Sequence, residues 1–122
     1  MNTRKKGDKG ETRACKYLIN KGYSIIERNW HDKSGEIDII AEINSPENKI
    51  LVICEVKTLP NGTLDMIQKE LNENKRQRIV KTTKRFLLNH REYNNRIIRF
   101  DVILVDIPGF ESIYHIENAF CE

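Results

Sequence analysis

Two short segments of the sequence place charged side chains inside stretches that are otherwise typical of buried β-strands. They are Gly35-Glu36-Ile37-Asp38-Ile39-Ile40 and Cys54-Glu55-Val56-Lys57-Thr58. Burying an ionised carboxylate without a partner costs several kcal/mol, so charges at these positions call for an ion-pair network or a metal ion. Asp38, Glu55 and Lys57 are therefore the candidate functional residues, and they indicate a divalent-metal site for phosphodiester chemistry.

The elements that must position these residues are two strands joined by a turn. Asp38 is predicted to lie on one face of the first strand, opposite to four apolar residues. The four are Ile37, Ile39, Ala41 and Ile43. In the second strand, the same period of two puts Glu55 and Lys57 on a common face. Because a polar turn near Pro46 joins the strands, they are expected to pair antiparallel and to bring Asp38 beside Glu55.

The remaining elements complete an α/β pattern. A first helix is predicted to begin after a cap at Asp8 and to stop at Gly22, and a strand is predicted from Tyr23 to Trp30. After the two central strands come a helical region from Thr63 to Asn89, broken near Asn72 to Asn74, and strands at Ile97 to Ile107 and Ser112 to Ile116. The order α-β-β-β-α-β with an extra C-terminal strand predicts a mixed β-sheet flanked by helices in a three-layer α/β core, as a single domain over residues 1–122.

The composition is that of an ordinary globular protein. Of the 122 residues, 39% are apolar and 32% are charged, and there is no low-complexity tract. No apolar run approaches the ~20 residues that a membrane helix needs, and the polar N-terminus does not resemble a secretion signal, so a cytoplasmic protein with no membrane partner is expected. The three cysteines and three histidines lack the spacing of a zinc site, and reduced thiols are expected.

Basic residues are concentrated in the second half of the predicted helical region. Between Lys69 and Arg91 the chain has eight Lys or Arg residues against two Glu, although its net charge is only +3. Such a patch attracts a phosphate backbone, but solvated helix faces have the same composition, so both interpretations stay open. The candidate nucleic-acid contacts are Lys75, Arg78, Lys81 and Arg85.

With Asp38 and Glu55-Val56-Lys57 in successive strands and Glu11 on the first helix, the sequence resembles the restriction-endonuclease-like PD-(D/E)XK superfamily, especially the archaeal Holliday-junction resolvases. The resemblance implies a Mg²⁺ or Mn²⁺ ion held by Asp38, Glu55, the main-chain carbonyl of Val56 and Glu11. It also implies that Lys57 acts on the attacking water or on the charge that develops on the phosphate. For Glu11 a second interpretation is equally open, because acidic residues are favourable near a helix N-terminus.

A pattern that spans nearly the whole chain resembles the YraN-like family of bacterial proteins. Its elements in this sequence are Gly10-Glu11, Arg28-Asn29, Gly35-Glu36-Ile37-Asp38, Glu55-Val56-Lys57-Thr58, Lys75, Arg78, Arg99-Phe100-Asp101 and Asn118-Ala119-Phe120. One departure is Leu59, at a position that is usually basic in the family, which removes a candidate phosphate contact. The family name carries no activity, so this resemblance implies the fold and a candidate site, and the catalytic expectation depends on the nuclease kinship.

Three functions are compatible with these features, and the sequence favours one over the next. The first is a magnesium-dependent endonuclease that hydrolyses phosphodiester bonds of DNA, with branched or structured DNA as one substrate class. The second is a nucleic-acid-binding module that keeps the fold without turnover, and the third is a protein-interaction domain. A homodimer is open by analogy, since resolvases act as symmetric pairs.

Overall fold

The computed structural model of the protein describes residues 3–58, 64–107 and 111–121. Helix α1 (Thr3–Asn20) precedes the strands β1 (Ser24–Asp32), β2 (Gly35–Asn44) and β3 (Lys49–Lys57). Helices α2 (Leu64–Glu70) and α3 (Glu73–Asn89) follow, and then a 3-10 helix (Arg91–Tyr93) and the strands β4 (Ile97–Val105) and β5 (Ile113–Phe120). The predicted order of helices and strands is confirmed, including the break in the helical region and the extra C-terminal strand.

The five strands form one mixed sheet in the order β1-β2-β3-β4-β5. Every neighbouring pair is antiparallel except β3 and β4, which run parallel. A parallel connection needs a crossover of a dozen or more residues, and α2 and α3 supply it. Strands β2 and β3, which carry the candidate functional residues, therefore lie inside the sheet rather than at an edge.

Helices cover both faces of the sheet. On one face, Ala14 and Leu18 of α1 pack against Ile39, Cys54 and Ile103. On the other face, residues of α3 pack against β2, β3 and β4; this second cluster includes Ile79, Phe86, Ile40, Ile53 and Phe100. Burial on both faces explains why β2 and β3 have near-continuous apolar sequences. Acidic residues are rarely buried in such strands unless they are paired or bind a cation.

Helix α1 begins earlier than predicted. The sequence indicates a cap at Asp8, but the helix already runs from Thr3, so Asp8 lies within it and the prediction is wrong. Glycine costs only about 1 kcal/mol in a helix, and the Lys and Arg residues around Gly7 favour a helix, so the glycines do not stop it. Gly10 lets the helix approach the end of β3 closely, because a Cβ at this position would overlap the hydroxyl of Thr58.

The predicted alternation of side chains along β2 is wrong at its first residues. Ile39 packs in the cluster beneath α1, whereas Ile37 belongs to the cluster beneath α3. The partner strand is irregular at the same level, because Asn29, with φ at 53°, lies between the partners of these two isoleucines. A left-handed residue in one strand re-aims the side chains around it. Asp38 therefore occupies a break in the pleat.

The three cysteines of the chain are free thiols, as predicted. Cys15 and Cys54 are buried among apolar side chains, and Cys121 is exposed. None of the helices in the described part of the chain is long and apolar enough to cross a bilayer.

Candidate metal and nucleic-acid site

The hairpin of β2 and β3 brings the two candidate carboxylates together. Regular pairing of the strands ends with Ile39 opposite Cys54. One step further on, Asp38 and Glu55 would face each other, but β2 has left the ladder. The main-chain amide of Val56 instead donates to Oδ2 of Asp38, at 2.8 Å. The side chain of Asp38 thus replaces a missing backbone partner of β3, and this fixes it beside Glu55.

Glu55 is the most unusual group of the site. Its side chain is buried, with 4% of the residue exposed. Its Oε1 atom has no hydrogen-bond partner among the described residues. Burial, and next the charge of Asp38, raise the pKa of Glu55 to about 8. A buried acceptor without a donor destabilises the folded state, so binding of a proton or a cation to this oxygen would be favourable.

Asp38 shares this environment. Burial raises its pKa, against the hydrogen bond from Val56 and the charge of Lys57, which lower it. Two carboxylates at close range cannot both ionise readily in a poorly hydrated site, unless a positive charge joins them. Hard oxygen donors are the ligands that Mg²⁺ and Mn²⁺ prefer, so Asp38 and Glu55 fit such an ion.

The donor set is small. Within the described ranges, no group of three or more His, Cys, Asp or Glu side chains is placed to hold a metal ion. If two carboxylates bind the ion, its other coordination sites are left for main-chain oxygens, water and substrate, as is usual for Mg²⁺. Val56, whose amide contacts Asp38, is adjacent to both acids, and its carbonyl stays the predicted third ligand.

Glu11 lies in the α1 layer, and its surroundings differ from those of the other two acids. Its Oε1 is 3.9 Å from Nη2 of Arg28, and the side chain is 12% exposed. The neighbouring Gly10 packs against Thr58, just beyond β3, so Glu11 lies near the same end of the sheet. It does not act at a helix start, because α1 begins eight residues earlier at Thr3. Its role as a metal ligand stays a prediction.

Two lysines surround the acid pair. Lys57 lies two residues beyond Glu55 in β3, and its Nζ is 3.1 Å from Oε2 of Glu70, the last residue of α2. Both Lys57 and Lys75 of α3 lower the pKa values of Asp38 and Glu55, whereas Glu36 raises them. The sequence leaves open whether Lys75 is a solvated surface residue or a substrate contact, and α3 brings its charge within electrostatic reach of the acids.

A small cleft of about 130 Å³ lies between α3 and the start of β2. Lys75 and Arg78 line it from the helix, and Gly35 and Glu36 line it from the start of β2. Lys81 is exposed further along α3. Arg85, the fourth predicted nucleic-acid contact, forms an ion pair with Asp32 at the end of β1.

A second polar cluster, which the sequence did not predict, lies on the α1 side of the sheet. Asp101 is fully buried, and Arg99 donates to both of its oxygens, at 2.9 and 2.8 Å. His115 approaches Asp101 at 2.6 Å and Tyr17 at 3.2 Å, and the amide of Asn118 donates to Asp101 at 2.9 Å. Arg99 and Asp101 lie two residues apart in β4 and therefore share a face of the strand. The contact of His115 could not be predicted, because no period in the sequence relates β5 to α1.

Comparisons with known proteins address the predicted family. The sequence model described as "Uncharacterised protein family UPF0102" matches residues 10–105. The chain belongs to the UPF0102 family. A UPF0102 protein of Treponema denticola is 44% identical over 121 residues, 93% of each chain. Relatives from Clostridioides difficile and Persephonella marina are 39% and 38% identical, covering 98% and 94% of this chain and 100% and 92% of their own. The predicted YraN-like membership is confirmed.

Several of the residues that suggested the UPF0102 family fall into two groups in the fold. Positions 35–38 and 55–58 contain the acid pair and its neighbours in the sequence, and the charge of Lys75 acts on the pair. Arg99, Asp101 and the amide of Asn118 build the buried polar cluster on the α1 face of the sheet, whereas Phe100 packs beneath α3. Leu59, the departure from the family pattern, lies outside the residues that the structure describes.

Proposed function

We propose that this UPF0102 protein is a magnesium-dependent endonuclease that hydrolyses phosphodiester bonds of DNA. The observation that carries the proposal is the buried Glu55 carboxylate, whose Oε1 has no partner among the described residues, directly beside Asp38. A structural role would have satisfied this oxygen, as it did for Asp101. The resemblance to PD-(D/E)XK nucleases supports the same assignment.

The residues of the chain have separable tasks in this reaction. Asp38, oriented by the Val56 amide, and Glu55 would hold the ion. When bound, Mg²⁺ makes a water molecule more acidic and neutralises charge on the phosphate. The Lys57 ammonium, on the same strand as Glu55, stabilises the negative charge that builds up on the phosphate oxygens. Water adds to phosphorus, one P–O ester bond breaks, and the products are a phosphomonoester and an alcohol.

The α3 surface supplies the substrate contacts in this proposal. Lys75 and Arg78 line a cleft between α3 and the start of β2, and Lys81 is exposed further along the same helix. The charge of Lys75 also acts on both acids of the pair. Cations placed along one helix neutralise successive phosphates without reading base sequence. Selectivity for a DNA structure would then depend on backbone geometry rather than on sequence.

The test is cleavage of labelled four-way junction, splayed duplex, linear duplex and single-stranded DNA by metal-stripped protein, before and after Mg²⁺ or Mn²⁺ is restored. Asp38→Asn and Lys57→Ala should each lower the rate at least about 100-fold, the scale for loss of one charged group that acts on the transition state. Lys16→Ala, an exposed α1 residue, is the matched control and should cut at the wild-type rate.

A nucleic-acid-binding module without turnover is the second candidate, and the basic α3 surface is the observation that favours it. The same samples distinguish the two, because binding is measured beside cleavage. Metal-dependent cutting that both variants lose supports the endonuclease. DNA that is bound but intact at every metal condition would contradict the endonuclease and support the binding module.

A further inference from the structure

Among the described residues, Lys57 forms its ion pair with a residue outside the acid pair. Its Nζ lies 3.1 Å from Oε2 of Glu70, at the C-terminal end of α2. The Lys57 side chain is 17% exposed and that of Glu70 is 44% exposed, so the pair lies at the mouth of the site. A carboxylate at this position offers the lysine the same kind of charged oxygen that a substrate phosphate would offer.

We infer that Glu70 is a positioning residue that competes with substrate for Lys57. In the substrate-free protein it holds the ammonium group at the mouth of the acid pair, and it yields that group when a DNA phosphate enters. The inference rests on the proposed function, since it needs a phosphodiester substrate at the Asp38–Glu55 site. It adds an acidic residue of α2 that the strand motif does not contain.

Replacing Glu70 by a DNA phosphate as the partner of Lys57 costs little free energy. An ion pair as exposed as this one contributes little, and its partners regain water when it opens. The lysine ammonium group sits on a flexible four-carbon chain, and its charge already acts on both Asp38 and Glu55, so it lies within electrostatic reach of the acid pair. A phosphate in the site would outcompete a half-exposed carboxylate for it.

The pair is not needed to anchor α2. The next residue, Leu71, is buried against Val102, Leu104 and Ile107, and its carbonyl accepts a hydrogen bond from Arg76 at 2.7 Å. The junction of α2 and α3 is therefore held by apolar contacts and by the helix cap at Asn72. Removing the charge of Glu70 should leave the fold intact, so a variant reports on Lys57 rather than on stability.

The test compares wild type with Glu70→Gln for DNA affinity, with Ca²⁺ in place of Mg²⁺ to suppress turnover, and for the kinetics of cleavage with Mg²⁺. We expect binding up to about fivefold tighter in the variant, the scale of an exposed ion pair, and KM lowered by a similar factor with kcat unchanged. Glu92→Gln makes the same charge change at an exposed site remote in sequence and gives the general electrostatic effect of losing one negative charge.

A double variant shows whether Glu70 acts through Lys57. In a Lys57→Ala background the gain from Glu70→Gln should fall to that of Glu92→Gln, because the competition no longer exists. An unchanged or weaker affinity of Glu70→Gln, a lower kcat, or an equal gain without Lys57 would overturn the role of Glu70 alone. Absence of DNA binding and cleavage by the wild type would instead overturn the proposed function.

Discussion

Two buried carboxylates of this protein have opposite environments. Burial alone would raise the pKa of Asp101, but hydrogen bonds from His115 and Arg99 hold it below its ordinary value. Glu55 lacks such donors among the described residues, and burial together with Asp38 raises its pKa to about 8. Carboxyl groups with divergent pKa values in one protein have different tasks. Asp101 stabilises the junction of α1, β4 and β5, while in the proposed function Glu55 binds the metal ion.

The raised pKa of Glu55 makes the stability of the metal-free protein depend on pH. The folded state keeps a proton that the unfolded chain releases near its ordinary pKa of 4.5. The native state then binds more protons than the unfolded state, so stability is highest below that pKa and falls as the pH rises towards about 8. This slope is opposite to that of a salt-bridged carboxylate.

We therefore expect Glu55→Gln to stabilise the metal-free protein at alkaline pH. The amide cannot ionise and can donate to Asp38, so the variant should gain at least about 1 kcal/mol at pH 8.5, roughly 4 °C in Tm, and little at pH 5. Thermal unfolding in the presence of a chelator measures this. Added Mg²⁺ should reverse the order, because it stabilises only the wild type. Equal unfolding curves at both pH values would contradict the assignment of Glu55.

At the scale of the elements, the β1–β2 turn is fastened to α3. Ser34 donates to Thr82 at 3.1 Å, and Asp32 pairs with Arg85. Hydrogen bonds from Ser34 and Arg85 lower the pKa of Asp32 to about 2, so the pair persists over the ordinary pH range. Because β2 starts at this turn, these contacts set where Asp38 enters the site. Arg85 thus positions the turn, in addition to its predicted place on the basic surface.

Gly35 tests this coupling. It has φ of 149°, and a Cβ there would lie 2.9 Å from Oγ1 of Thr82. Gly22 also has a positive φ, 97°, but a Cβ there would meet nothing within 4 Å. We expect Gly22→Ala to cost only the backbone strain, about 1–2 kcal/mol. Gly35→Ala should cost about 1 kcal/mol more, since it also displaces the turn from α3.

Denaturant unfolding measures both alanine variants, and titration with Mn²⁺ shows whether the site is affected. Only Gly35→Ala should weaken metal binding, because only this turn leads directly into Asp38. Equal stability losses and unchanged Mn²⁺ affinity in both variants would show that the turn does not position the acid pair.

The elements were predictable from the sequence wherever a single period describes them. The period of two in Ile50 to Lys57 predicted β3 and the shared face of Glu55 and Lys57, and the short turn predicted the hairpin. The period failed at Ile37, at the level where Asn29 of the neighbouring strand has a left-handed backbone conformation. Propensity does not reveal such a residue, since asparagine is common in strand-flanking turns as well.

At the scale of the whole molecule, long-range polar pairs were the part that sequence could not supply. Lys57 meets Glu70, and Asp101 meets His115, through the packing of separate elements. Neither pair lies at a helical or strand spacing, so the pairing of β4 with β5 and the position of α2 beside the end of β3 bring them together. The residue types of the acid pair and the mixed sheet were predictable, but their charged surroundings were not.

The distribution of charge over the whole molecule decides how DNA would bind. The net charge of +3 is modest, so DNA binding must depend on where the cations lie rather than on their number. If α3 contacts the phosphate backbone, each lost contact lowers the salt dependence of affinity by a fixed amount, about 0.9 in the slope of log K against log salt for duplex DNA. Arg78→Ala combined with Lys81→Ala should therefore reduce the slope by about 2.

Titrations between about 50 and 200 mM salt give this slope directly. Lys16→Ala is the matched control, because Lys16 is exposed on α1, in the layer on the opposite face of the sheet. Its slope should equal that of the wild type. If Lys16 changed the slope and the α3 pair did not, the binding face would be the α1 layer. The cleft lined by Lys75 and Arg78 would then lose its place in substrate binding, whatever chemistry the carboxylates perform.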